Sequence, residues 1–361
     1  MQPANPYIYK IKPYIPGKPI DEVRRELGLK SVIKLASNEN PYPPSPKVLA
    51  AMAKAALEIN RYPDGGCFAL RRTLAKKLKV DDDQLIFGNG SDELIVLAVK
   101  AFVAKGDEVI IAKPSFMIYE IASILAGARI HQVALEDFRY DLKTMKSKVN
   151  ARTRIIFIGN PDNPAGTYIS QRQVEDFLRG VPKSTLVFFD EAYFEYVQAK
   201  DYPDTIALMD KYPNVMTTRT FSKIYGLAGL RIGYGIANRA IIDILNRLRE
   251  PFNVNSMAQA AAVAVLGDES YYRNIAKEVN VQRQYLYRSL ESLEVAYEVS
   301  FTNFILVHVG VDSSQVANAL LKKGVIIRDM AAWGLKGYIR VSIGSASENK
   351  RFIKTLGGLH F

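Results

Sequence analysis

From about residue 67 onward, short apolar runs alternate with segments whose apolar residues repeat at helical spacing, and this alternation limits the possible folds more than any other feature. The apolar runs read QLIFG, DEVIIA, RIHQVAL, RIIFIG, TLVFF, VMTTRTFS and RIGYGIA. Apolar strands that are separated by helices are typical of a sheet with helices on both faces. The pattern therefore predicts an α/β fold with a doubly wound, mainly parallel sheet of seven strands.

A second, smaller set of elements follows a change of composition at PFNVNS, residues 251–256. A long helical stretch, residues 258–293, leads to strand-like FILVHVGV, VIIRDM and YIRVSIG and to two further helical segments. The first forty residues are rich in proline and contain one short helical candidate, PIDEVRREL. We therefore expect an N-terminal arm (1–40) that joins the small domain, a large domain (41–250) and a smaller C-terminal α/β domain (251–361).

Charge and cysteine content narrow the class of protein. The formal net charge is +11, but the basic residues are scattered, which disfavours nucleic-acid binding and suits anionic metabolites. Cys67 is the single cysteine, so no intrachain disulfide can form and a reducing compartment is indicated. MQPANPYIYK lacks the apolar core of a secretion signal, and Lys100 interrupts the apolar run LIVLAVKAFVA. We expect a cytoplasmic protein without a membrane span or a metal site.

Polar residues follow four of the predicted strands. They are the cluster 88–91 after LIF, the cluster 160–163 after RIIFIG, Asp190 after TLVFF, and the pair 222–223 after VMTTRTF. Because ligands bind beyond the carboxyl ends of the strands in doubly wound sheets, we expect these four groups to converge.

Two of these groups allow more than one interpretation. GNGSDE precedes an amphipathic helix, so Ser91 belongs either to an anion site at the helix N-terminus or, with Asp92, to a simple helix cap. Glu93 stands where a dinucleotide-binding motif would have its third glycine, which argues against a nicotinamide enzyme. Asp190 is either a carboxylate at the rim of a buried strand or a helix N-cap.

Lys223 and Arg231 flank a glycine-containing loop with Gly226 and Gly229, which favours a loop that folds both cations onto one anion. A lysine amine that is partly desolvated and close to other cations has a lowered pKa and becomes a nucleophile toward aldehydes. Pyridoxal phosphate combines an aldehyde, a phosphate and a ring nitrogen that requires a carboxylate partner, and Asp190 could be that partner. The phosphate would be held by Ser91, Thr220, Ser222 and Arg231.

Seven strings carry a resemblance that covers nearly the whole chain. They are LASNENP (35–41), RYPDG (61–65), GNGSDE (88–93), NPDNPAGT (160–167), DEAYFEY (190–196), TFSKIYGLAGLRIGY (220–234) and YIRVSIG (338–344). On these strings the chain resembles the fold-type I pyridoxal-phosphate aminotransferases, and most closely the histidinol-phosphate aminotransferases.

The resemblance implies roles around the cofactor. Lys223 would form the Schiff base and move the proton between Cα and the cofactor. Asp190 would pair with the pyridine nitrogen, Tyr193 and Asn163 would hydrogen-bond the phenolic oxygen, and Phe116 would stack on the ring. The cofactor phosphate would contact Gly90, Ser91, Thr220, Ser222 and Arg231.

The resemblance also implies partners and substrate contacts. Tyr62 would reach the phosphate of the neighbouring subunit's cofactor, which implies a homodimer with shared active sites. The residues implied in substrate binding are Tyr14, Asn38, Arg328 and Arg340, the two arginines being suited to carboxylate and phosphate groups.

The expected reaction is amino transfer from L-histidinol phosphate to 2-oxoglutarate, giving imidazole-acetol phosphate and L-glutamate, in histidine biosynthesis. Phe116 stands where many family members carry tyrosine, and Trp333 lies near the substrate arginines in the sequence. Two alternatives on the same scaffold therefore stay open: an aromatic-amino-acid aminotransferase and, less favoured, a threonine-phosphate decarboxylase.

Overall fold

The computed structural model describes residues 4–11, 13, 17–310 and 312–359. The strands are β1 Ile33–Leu35, β2 Leu85–Gly88, β3 Glu108–Lys113, β4 Arg129–Ala134, β5 Thr153–Gly159, β6 Leu186–Asp190, β7 Val215–Thr220, β8 Gly233–Ala237, β9 Phe304–His308, β10 Val325–Asp329 and β11 Tyr338–Ser342. The helices are α1 Ile20–Leu27, α2 Pro46–Ala55, α3 Phe68–Leu78, α4 Ser91–Phe102, α5 Met117–Leu125, α6 Leu142–Ser147, α7 Gln171–Leu178, α8 Thr205–Leu208, α9 Arg239–Asn246, α10 Ser256–Leu266, α11 Glu269–Ser292, α12 Ser313–Lys322 and α13 Ala346–Gly357.

The larger sheet has seven strands in the order β2-β8-β7-β6-β5-β3-β4. Strand β8 runs antiparallel to both of its neighbours, β2 and β7, whereas the pairs β7–β6, β6–β5, β5–β3 and β3–β4 are parallel. The predicted mainly parallel, seven-stranded sheet is confirmed.

Apolar side chains cover both faces of this sheet. Phe188 and Phe189 are adjacent in β6 and completely buried, yet they belong to two different apolar clusters. Successive residues of a strand point to opposite faces, so each face needs its own cover. Helices α3 and α10 contribute to one cluster, and α4, α5 and α9 contribute to the other. The carboxyl ends of the central strands remain as the edge at which a site can form.

The smaller sheet has four strands in the order β1-β10-β11-β9. Strand β1, from the first forty residues, pairs in parallel with β10, and the pairs β10–β11 and β11–β9 are antiparallel. The helical stretch predicted before this sheet is divided, since α10 ends at Leu266 and α11 begins at Glu269. The exact division into an arm and two domains stays a prediction. Over the described ranges, no helix is both long and apolar enough to cross a membrane.

Candidate active site

A cavity of about 470 Å³ lies where the carboxyl ends of the central strands meet the smaller sheet. The predicted site residues that line it are Asn38, Ser91, Phe116, Asn163, Asp190, Tyr193, Thr220, Ser222, Lys223, Arg231, Arg328 and Arg340. The four polar groups that follow the strands therefore converge, as the strand order requires.

Lys223 lies in the loop that follows β7, three residues beyond the end of the strand. Its side chain is half-buried, and its Nζ lies 5.7 Å from the centre of the Tyr193 ring. Burial, together with the positive charge of Arg340, lowers the pKa of Lys223 to about 8. About a tenth of the amine is therefore unprotonated, and nucleophilic, at pH 7.

Asp190 is the last residue of β6 and is only 7% exposed. Its carboxylate accepts hydrogen bonds from the Tyr119 hydroxyl (2.7 Å) and the Ala192 amide (3.2 Å). The next helix is the short 3-10 helix Phe194–Tyr196, whose N-cap is Tyr193, so Asp190 is not a helix cap. Burial raises the pKa of Asp190 to about 6. A cation placed in the cavity would favour the ionised carboxylate.

Sequence reasoning missed Tyr119, which is 2% exposed and stacks on Phe157 with ring centres 4.7 Å apart. The sequence does contain one indication of its position. Tyr119 follows Phe116 by three residues at the start of α5, so the two side chains lie on the same helix face.

The hydroxyl of Tyr193 accepts hydrogen bonds from two side-chain amides, Asn38 Nδ2 at 2.9 Å and Asn163 Nδ2 at 3.4 Å. Asn163 Oδ1 in turn accepts from Arg340 Nη1 at 2.5 Å, and the backbone amide of Asn38 donates to Ser342 Oγ at 2.8 Å. Burial raises the pKa of Tyr193 to about 12, so the phenol keeps its proton at neutral pH. The network thus holds the Tyr193 hydroxyl, a hydrogen-bond donor, in place near Lys223. Through Asn163 and Arg340 it also connects the larger sheet with the smaller one.

Arg231 lines the cavity, whereas Gly90 does not line it and lies against the Arg231 guanidinium. Gly90 is the N-cap of α4 at φ +81°, and a Cβ there would lie 2.5 Å from Arg231 Nη2. Arg231 has a left-handed φ of +55°, and its Nη2 lies 3.5 Å from Asp92 Oδ2. Ser91 is the first residue of α4 and no side chain caps this helix, so the simple-cap interpretation is wrong. The helix N-terminus and the guanidinium together favour an anion at this position.

Thr220, the last residue of β7, and Ser222, two residues beyond it, also line the cavity. Both are buried, and the Ser222 amide donates to Thr220 Oγ1 at 3.0 Å.

Arg328 and Arg340 stand directly opposite each other in the antiparallel pair β10–β11, and both line the cavity. Like charges at such positions repel, and an anion between them relieves the repulsion. Arg340 is 6% exposed, and its Nη2 donates to the carbonyl oxygen of Ala36 at 3.3 Å. The guanidinium of Arg328 lies 5.1 Å from the centre of the Trp333 ring.

Two predicted site residues lie elsewhere. Tyr62 does not line the cavity of its own chain; it is 83% exposed and stacks on Phe252 with ring centres 4.7 Å apart. Tyr14 lies outside the described residues. No group of three or more histidine, cysteine or acidic side chains suited to a metal ion occurs in the part of the chain that the structure describes.

Comparison with known proteins identifies the family. The aminotransferase class I and II family matches residues 30–356. The histidinol-phosphate aminotransferase of Moorella thermoacetica is 48% identical over 351 residues, which cover 97% of this chain and 91% of that protein. The corresponding protein of Caldicellulosiruptor saccharolyticus is 45% identical over 350 residues, covering 97% and 98% of the two chains.

A solved structure agrees with these sequence matches. The histidinol-phosphate aminotransferase of Sinorhizobium meliloti, crystallised in complex with pyridoxal-5'-phosphate, superposes with a TM-score of 0.91 at 28% identity, covering 99% of this chain and 97% of that one. The resemblance found in the sequence is therefore confirmed, and the chain belongs to the class I and II aminotransferases.

Proposed function

We propose that this protein is the pyridoxal-phosphate-dependent aminotransferase that transfers the amino group of L-histidinol phosphate to 2-oxoglutarate in histidine biosynthesis. The products are imidazole-acetol phosphate and L-glutamate. The observation that carries the proposal is the facing pair Arg328 and Arg340, which line the same cavity as Lys223 and Asp190. The names of the relatives, at 45% and 48% identity over nearly the full chain, agree with it.

The cavity fits the cofactor at both ends. Arg231 and the N-terminus of α4 supply positive potential for its phosphate. Because Gly90 has no Cβ, the Arg231 guanidinium can lie against its backbone without a clash. At the other end, the buried carboxylate of Asp190 suits a protonated ring nitrogen. Ser91, Thr220 and Ser222 would add hydroxyl donors to the phosphate. Phe116 also lines the cavity and would cover one ring face.

When bound, the cofactor supplies an electron-accepting ring that acidifies the Cα–H bond of the amino donor. Lys223 would take the proton from Cα of the donor and deliver it to the cofactor carbon that carried the aldehyde oxygen, acting first as general base and then as general acid. Its pKa of about 8 suits both directions near neutral pH. The Tyr193 hydroxyl and the Asn163 amide would hold the ring oxygen, and Asn38 orients that hydroxyl by its 2.9 Å hydrogen bond.

Both substrates can use the two arginines. L-Histidinol phosphate has a phosphate, and 2-oxoglutarate has two carboxylates, whereas phenylalanine offers a single carboxylate. Two facing arginines can therefore contact more anionic groups of the proposed substrates than of an aromatic amino acid. The relatives' names likewise favour neither the aromatic aminotransferase nor the threonine-phosphate decarboxylase. We keep Tyr14 as a proposed phosphate contact.

We further propose a cytoplasmic homodimer in which Tyr62 serves the cofactor site of the neighbouring subunit. Tyr62 is 83% exposed and absent from its own cavity, and Phe252, on which it stacks, is 45% exposed. Leu57 and Ile59, close by in the sequence, are 82% and 68% exposed. Apolar exposure of this kind indicates a surface that another chain covers.

The test is a single-turnover measurement on the holoenzyme with separate additions of L-histidinol phosphate, L-phenylalanine and L-threonine phosphate. We expect the absorbance of the pyridoxal form to convert to that of the pyridoxamine form with L-histidinol phosphate at least about 100-fold more efficiently than with phenylalanine. Preferential conversion by phenylalanine would assign the aromatic activity instead, and release of carbon dioxide from threonine phosphate would assign the decarboxylase. Lys223→Ala should abolish turnover of every donor while the circular dichroism spectrum stays unchanged.

A further inference from the structure

Trp333, the single tryptophan of the chain, ends the 3-10 helix Ala331–Trp333 just after β10. Its ring lies 5.1 Å from the Cζ atom of Arg328, which is cation–π distance. The backbone of the turn is fixed, because the Trp333 and Leu335 amides both donate to the carbonyl oxygen of Met330, at 2.9 and 3.2 Å. The ring is therefore held against the guanidinium by the turn that follows the strand.

Trp333 also lines two cavities. The 470 Å³ cavity and a second pocket of about 270 Å³ are both lined by Trp333 and Met117. On its far side the second pocket is lined by Lys10 and Ile11 of the N-terminal segment and by Ile121 of α5. Trp333 and Met117 therefore lie at the border between the two cavities.

We propose that Trp333 is a specificity-determining residue of this site, holding Arg328 toward the phosphate of the amino donor and closing the cavity against the second pocket. The inference depends on the proposed function, because it takes that phosphate as the anion that Arg328 binds. With Trp333 in place, the site should prefer a compact amine with a phosphate to a bulky apolar amine without one.

The physical basis is the shape of the guanidinium. A planar guanidinium with one face on an aromatic ring keeps the N–H groups at its edge available for a bidentate contact with phosphate oxygens. Without the ring, the Arg328 side chain gains rotamer freedom, which has to be lost again when the donor binds. Removing the indole would also open the border between the two cavities, so the site would gain space for an apolar side chain of the substrate.

The experiment compares Trp333→Leu with the conservative Trp333→Phe in the holoenzyme, using L-histidinol phosphate, L-histidinol and L-phenylalanine as donors. For Trp333→Leu we expect the KM for L-histidinol phosphate to rise about tenfold with a much smaller change in kcat, while efficiency with the other two donors is kept or rises. Trp333→Phe should keep the KM within about threefold of wild type, since an aromatic face remains. An equal loss of efficiency for all three donors would overturn the inference.

The double variant Trp333→Leu/Arg328→Ala gives a second test. If the ring acts through Arg328, the leucine substitution should add little to the KM increase that Arg328→Ala already causes with L-histidinol phosphate. Independent, multiplicative increases would contradict the inference.

A binding measurement separates failure of this inference from failure of the proposed function. Because Trp333 is the single tryptophan, its fluorescence in the holoenzyme reports on the Arg328 site directly. We expect inorganic phosphate to change the emission of the wild type and not that of Arg328→Ala. That result would support the Trp333–Arg328 assignment even if phenylalanine were the preferred donor, whereas an emission insensitive to phosphate in the wild type would overturn it.

Discussion

At the scale of single residues, Tyr119 shows how a buried hydroxyl sets the ionisation of a neighbouring group. Its hydrogen bond to Asp190 lowers the pKa of a carboxyl group that burial otherwise raises. Tyr119→Phe should therefore raise the pKa of Asp190 above about 6 and leave less carboxylate for the cofactor nitrogen. We expect cofactor affinity to fall about tenfold at pH 6 and less at pH 8, where Asp190 ionises in either protein. Equilibrium dialysis of pyridoxal phosphate at both pH values measures this.

Tyr140→Phe is the matched control for this prediction. The Tyr140 hydroxyl also donates to a buried carboxylate, but that group is Asp162, at 3.1 Å. A loss of affinity that is equal in both variants, or equal at both pH values, would show that Tyr119 acts through packing alone.

The residues that sequence reasoning found and missed differ in the kind of signal they give. Lys223 and Asp190 interrupt or end apolar runs, so their polarity is visible in the sequence. Tyr119 lies within an apolar helix face, and its aromatic ring alone accounts for its burial there. Its role depends on the hydroxyl meeting the end of β6, which only the fold brings to it.

At the scale of elements, the ends of β6 and β7 are joined by a buried ion pair whose two residues do not line the cavity. Arg219 Nε and Nη2 lie 2.9 and 2.8 Å from Glu191 Oε2, and both residues are at most 5% exposed. Glu195 lies nearby; burial raises its pKa to about 7, and its Oε2 makes no hydrogen bond within the described ranges. The Arg219 guanidinium therefore interacts electrostatically with two carboxyl groups, and it contacts Glu191 directly.

Glu195→Gln should stabilise the protein at pH 8 and leave its stability nearly unchanged at pH 5. An acid whose pKa is higher in the folded state binds its proton more tightly there, so stability falls as pH rises from about 4.5 to about 7. Glutamine does not ionise. At pH 8 the free energy of unfolding of the variant should therefore exceed that of the wild type by about 2 kcal/mol. Thermal unfolding at the two pH values, with saturating cofactor, measures the difference.

The neighbouring Glu191→Gln is the control with the opposite sign. It leaves the buried guanidinium of Arg219 without its main counter-charge and should cost about 3–5 kcal/mol at both pH values. A lower Tm for Glu195→Gln at pH 8 would mean that its carboxylate is the one Arg219 needs.

The elements themselves were largely predictable, because strands of the larger sheet such as β2, β5 and β6 consist mainly of apolar residues and end at glycine or aspartate. The direction of β8 was not, since the run RIGYGIA reads the same whether the strand is parallel or antiparallel. The break between α10 and α11 at Gly267 and Asp268 was also missed, because apolar residues keep their helical spacing on both sides of it.

At the scale of the whole molecule, assembly was expected only from the family resemblance, since neither composition nor residue spacing indicates it. Tyr62 reads as an ordinary polar-flanked aromatic residue, and its 83% exposure becomes visible only when α2 and α3 take their places. The same holds for Leu57, which is 82% exposed. The proposed homodimer would bury both, and a Leu57→Asp substitution at this surface should shift the protein toward monomers in analytical ultracentrifugation.

A subunit-mixing experiment tests whether Tyr62 serves the neighbouring site. Lys223→Ala and Tyr62→Ala chains should each be strongly impaired alone, yet a mixed dimer would contain one site with an intact Lys223 and an intact Tyr62 from its partner. After denaturation and joint refolding, we expect activity to rise to about a quarter of wild type, since about half of the dimers are mixed and each has one complete site.

The matched control mixes wild-type chains with the double variant Lys223→Ala/Tyr62→Ala. In those mixed dimers the intact Lys223 faces the substituted Tyr62, so they should add no complete site. If Tyr62 served its own chain, the two results would be exchanged: the wild-type mixture would retain the extra activity, and the two single variants would show no recovery.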